Sequence, residues 1–102
     1  MFNWLSAKKS EEFGHEMAKM LLELIPNSTE LSESKRLSKA NYAREKMQKK
    51  IRQFKQDEVL NFYKIAKLLN AFKWALKDAG FDKALSESFA SWLFNSLRSP
   101  AP

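Results

Sequence analysis

The sequence predicts an all-α fold, a compact bundle of three to four helices. Apolar residues recur at three- and four-residue spacing in four segments, and no useful length alternates with period two. Two glycines and three prolines in 102 residues are too few for an all-β chain, which needs turn residues every few positions. A chain of this length makes one domain with one core, expected over residues 10–98.

The first helix is expected over about 10–25. Ser10 is a candidate N-cap, with Glu11 and Glu12 favouring the positive end of the helix dipole. Phe13, Met17, Met20, Leu21, Leu24 and Ile25 share one face, and Pro26 disfavours further helix. Residues 27–34 form a polar connector rich in capping residues. Ser32 or Ser34 opens a second helix, over about 34–56, with a narrow apolar stripe of Leu37, Ala40, Ala43, Met47, Ile51 and Phe54.

Nothing in Lys55–Glu58 breaks a helix, so 34–79 reads either as one rod or as two helices. Length favours a break. An unbroken helix would extend about 69 Å, several times a domain's radius. With Asp57 as the second N-cap, a third helix covers 57–79. Val59, Phe62, Ile65, Ala66, Leu69, Phe72 and Leu76 make its face, and Leu60, Tyr63, Leu68 and Trp74 lie on others. Gly80 is the expected left-handed stop. Asp82 then caps a fourth helix, 82–97, burying Leu85, Phe89, Trp92 and Leu93, and residues 99–102 make a frayed tail.

The N-terminus carries its charges after its apolar residues, which is not a signal peptide's order, and no run approaches the length of a membrane span. A cytoplasmic protein is expected. Phe2, Trp4 and Leu5 ahead of Lys8 and Lys9 have the make-up of a membrane-interface anchor. So short a patch holds weakly, and residues 1–9 are read as an N-terminal flap on the domain.

The residue inventory speaks against an enzyme. The chain has no cysteine, hence no thiolate chemistry or disulfides, and too few glycines for a phosphate-cradling loop. Its single histidine, His15, forms one Glu12-x-x-His15 pair, whereas di-iron bundles need two such pairs and two further inward glutamates. Both residues sit opposite the apolar stripe and point to solvent. No metal, cofactor or small-molecule substrate is implied.

Charge is where the chain departs from uniformity. Residues 35–55 hold nine of the 18 Lys and Arg residues against Glu45 alone. Lys35, Lys39, Tyr42, Lys46, Lys49 and Lys50 follow four- and three-residue steps along the face opposite the Leu37–Phe54 stripe. Arg44, Arg52 and Lys55 flank that stripe. Like charges at these spacings cost a few tenths of a kcal/mol per pair. A basic row with one aromatic in it suits an acidic partner, nucleic acid or protein, with counterion release supplying affinity for phosphates and Tyr42 placed to stack on a base. Lysine outnumbers arginine, so base-edge readout is not indicated. The acids of the first helix (Glu12, Glu16, Glu23) could instead lie beside this row and neutralise it.

Thirteen aromatics is a high count for 102 residues, and most fall on inward faces. Trp74 and Phe94 lie off the main stripes of helices three and four, where they could fill the second side of a central helix or present an aromatic surface to another chain. The leading expectation is therefore a non-catalytic binding or regulatory protein that engages an acidic partner through its basic helix. The alternative is an adaptor or homodimer working through helices three and four, with the basic face serving solubility only.

Overall fold

In a computed structural model, residues 7–26 and 32–99 are described. They form four helices and no strand: α1 (Lys8–Leu24), α2 (Glu33–Asp57), α3 (Phe62–Asp78) and α4 (Lys83–Arg98). The expected all-α bundle is correct. Residues 1–6 of the flap, 27–31 of the connector and 100–102 of the tail lie outside the described residues.

Side chains cap three of the four helix starts. The Ser32 hydroxyl accepts from the Lys35 N–H at 3.3 Å, the Asn61 carboxamide oxygen from Lys64 N–H at 2.8 Å, and the Asp82 carboxylate from Leu85 N–H at 2.9 Å. Each satisfies an N–H that the first turn would otherwise leave unpaired. At the end of α3, the Gly80 N–H reaches the Lys77 carbonyl and the Phe81 N–H reaches that of Leu76. With Gly80 at φ 71°, this is the Schellman closure that glycine permits.

Two starts differ from expectation. Helix α1 begins at Lys8 with Ala7 in the cap position, so Lys8 and Lys9 belong to the helix and not to a flap. Ser10 is not a cap but a buried residue of the first turn. The rod of 34–79 is broken, as length requires, but α2 runs on through Asp57 and the corner is Glu58–Asn61. Asn61, not Asp57, caps α3.

The helices alternate in direction. Phe13 stacks on Phe54, with centroids 4.1 Å apart and planes at 6°, so the start of α1 meets the end of α2. Arg44 lies over Phe89, and Lys55 reaches the carbonyls of Ser96 and Ser99, so α2 and α4 run the same way. Helix α1 packs chiefly on α3, and α2 spans α1 and α4.

Gly14 makes the α1–α3 approach. A Cβ there would overlap the Leu68 carbonyl oxygen and stand 3.2 Å from the Ala71 methyl. Only glycine lets the two backbones come this close. The approach turns the buried side of α3 toward Lys64, Ile65, Leu68, Ala71, Phe72 and Leu76, roughly a quarter turn from the expected face.

The core holds Met17, Leu21, Ile25, Met47, Ile51, Leu68, Phe72, Leu76, Phe89 and Leu93, all fully buried. Three large side chains expected in it are outside: Leu37 is 61% exposed, Val59 82% and Phe62 72%. Leu37 sits in the first turns of α2, ahead of the part that crosses its neighbours. Val59 belongs to the corner, and Phe62 opens α3 on its outer side. Ala66 is exposed as well, while Met20, Leu24, Phe54, Leu69, Leu85 and Trp92 are only partly buried.

Candidate functional site

The α2 residues form one solvent face because their spacing matches the helical period while Ala40, Ala43, Met47 and Ile51 hold the other side in the core. Lys35, Lys39, Tyr42, Lys49, Lys50 and Arg52 are exposed, and Lys46 is partly covered. The structure brings these seven onto one helix surface, with the Lys46 ammonium 5.3 Å from the Tyr42 ring centroid.

Other bases of α2 have structural partners. Arg44 donates to the Asn41 side-chain oxygen at 3.3 Å and stands 4.7 Å from the centroid of Phe89. Lys55 donates to the Ser96 carbonyl at 2.8 Å and to that of Ser99, carbonyls that the end of α4 leaves without helical donors. A cation there also meets the negative end of the helix dipole.

The acids of α1 meet the basic face at one point. Lys50 and Glu16 pair at 3.4 Å with both side chains half exposed, a contact that contributes less than about 1 kcal/mol. Among the described residues Glu12 and Glu23 form no ion pair with α2. The reason is architectural: α1 lies mainly on α3, and it meets α2 through Phe13 on Phe54 and Glu16 on Lys50, toward the C-terminal end of α2.

Trp74 and Phe94 differ in exposure. Trp74 is 53% exposed with the Lys77 ammonium 4.9 Å from its ring. Phe94 is partly buried against the core, and the Arg98 guanidinium lies 5.2 Å from its ring and 6.0 Å from that of Phe62. Phe62 and Trp74 are separated by about 18 Å of helix.

Helix α3 carries a second set of exposed residues around Trp74. Its outer side shows Tyr63, Asn70, Lys73, Trp74 and Lys77, all exposed, with Lys67 5.8 Å from the Tyr63 ring. From Tyr63 to Lys77 there are four lysines and no acid, and all but the buried Lys64 lie toward this side. This run of lysines without an acid is the signal in the sequence that marks the outer side of α3. Where α3 turns into α4, Lys73, Lys77, Phe81, Lys83, Ser86 and Glu87 line a cleft of about 320 Å³.

Comparison with protein-family models, with curated proteins and with solved structures finds no match. The residues themselves therefore carry the argument. His15 and Glu12 are both exposed, and among the described residues no three His, Cys, Asp or Glu side chains gather as a metal site. No helix among them is long and apolar enough to cross a membrane.

Proposed function

We propose that this chain is a non-catalytic binding module whose α2 outer face holds the phosphate backbone of a nucleic acid. One observation carries the reading: Glu16 alone of the α1 acids meets the basic row, which leaves Lys35, Lys39, Lys49 and Arg52 turned to solvent. The row runs about 25 Å along the helix axis. Lysines at this density hold phosphates by displacing counterions, without reading sequence.

Binding of a fluorescent duplex of arbitrary sequence tests this. Affinity at about 50 mM salt should be measurable and fall steeply as salt rises. Changing Lys39, Lys46 and Lys49 together to Glu should abolish it while the helix content and melting temperature hold. No binding at low salt, or binding unchanged in the triple variant, overturns the proposal. Capture of polyglutamate in place of nucleic acid would reassign the face to an acidic protein. A second reading, self-association through α3 and α4, draws on the exposure of Trp74, Tyr63 and Phe62. Sedimentation mass decides it.

A further inference from the structure

Helix α3 presents a surface unlike that of α2, and it asks for a different explanation. Aromatic side chains gathered on one exposed helix side mark an interaction surface. Here Tyr63 and Trp74 are each about half exposed, roughly 16 Å apart along the helix. Each has a lysine ammonium beside its ring, at 5.8 Å for Lys67 and 4.9 Å for Lys77. The Ala66 methyl and the Asn70 carboxamide occupy the exposed surface between them. Beyond Trp74 lies the corner cleft, lined by Lys73, Lys77 and Lys83 with Phe81 and Ser86, and by one carboxylate, that of Glu87.

We propose that the outer side of α3, with the cleft at the α3–α4 corner, binds single-stranded nucleic acid, bases stacking on Trp74 and Tyr63 and phosphates lying on Lys73, Lys77 and Lys83. The pairing of ring and ammonium carries the inference. A base offers a flat π-face to an exposed aromatic, and its own phosphate follows one step along the strand, where a flanking cation meets it. Duplex bases are stacked on one another and do not offer that face. An acidic protein would use the lysines but leave the aromatics without a role. A second copy of the chain fits less well. A symmetric contact would set the lysines of this face against one another, with no acid between Tyr63 and Lys77 to offset them. The inference stands apart from the reading of α2, because the two faces lie on different helices and share no residue.

Tryptophan fluorescence of the full chain, titrated with a 12-nucleotide oligothymidylate, a duplex of the same length and inorganic polyphosphate, tests it. The single strand should quench the emission, and Trp74→Leu should remove the quench and weaken binding about 10- to 100-fold. Tyr63→Leu should weaken binding over the same range while leaving the quench. Both residues are half exposed, and unchanged melting curves verify that the variants fold. The Lys39/Lys46/Lys49→Glu variant should keep the quench, so failure of the α2 reading and failure of this one show separately. Wild-type affinity for oligothymidylate in Trp74→Leu overturns the proposal. So does equal quenching by polyphosphate, or a dimer in sedimentation that Trp74→Leu disperses.

Discussion

The ammonium of Lys64, only 3% exposed, lies 3.3 Å from the Glu58 carboxylate and donates to the Val59 carbonyl at 3.1 Å. One side chain from the first turn of α3 thus reaches back across the Glu58–Asn61 corner and ties both ends of the break together. A buried ammonium without a partner is costly to hold, so the pair and the corner require each other.

Removing either partner should not cost the same. Glu58→Ala strands the Lys64 ammonium inside and is expected to lower stability by about 3 kcal/mol, near the low end for a broken buried pair. Lys64→Met keeps the aliphatic stem and leaves Glu58, 16% exposed, able to turn to water, so its loss should be nearer 1–2 kcal/mol. The double variant should recover much of the Glu58→Ala loss. Urea denaturation of all four proteins checks this, and a strictly additive double variant would count against it.

Gly14→Ala should destabilise despite alanine's better helix propensity. The gain is at most about 1 kcal/mol. The added methyl meets the Leu68 carbonyl oxygen, which is backbone and cannot rotate away. Parting α1 from α3 costs about 1–3 kcal/mol, as overpacking does. A net fall in the melting temperature is expected, and an increase would show that the two helices are not closely apposed.

Ser10→Ala should do the opposite. The Ser10 hydroxyl is buried and, among the described residues, has no hydrogen-bond partner. A buried polar group left unpaired costs about 1–3 kcal/mol, and alanine removes it while favouring the helix. A stabilisation of about 1 kcal/mol, or some 4–8 °C in a domain of this size, is the expected result of thermal melting.

Lys55→Met should loosen the end of α4 selectively. Without the ammonium, the carbonyls of Ser96 and Ser99 lose their donor from α2. Amide hydrogen exchange should quicken over residues 95–99 and stay unchanged at the Leu68–Leu76 stretch of α3. Uniform acceleration along the chain would mean that Lys55 supports the whole fold.

Much of the architecture was legible from spacing. Met17, Leu21, Met47, Ile51, Phe72, Leu76, Phe89 and Leu93 fall on the faces that the period assigns and are fully buried. Gly80 stops α3, and Ser32 and Asp82 cap their helices. The errors cluster at α3. Val59 and Phe62 were counted into its apolar face, which swung the predicted core away from Leu68. Local spacing cannot tell that α1 approaches through Gly14 and draws Leu68 and Ala71 inward.

The basic row of α2 was equally legible, since nine bases against one acid on a helix of known period define a face. Whether that face would be neutralised was not. Glu12, Glu16 and Glu23 could have met it, and only the arrangement of helices limits the encounter to Glu16 and Lys50.

Helical class, the ends of most helices and the existence of a charged face follow from local rules: period, caps and residue counts act within a few positions. Which side of α3 is buried, where the long rod breaks and how much of the basic face meets an acid depend on contacts between residues distant along the chain. Gly14 against Leu68 and Lys55 against Ser96 are such contacts, and packing alone brings them together.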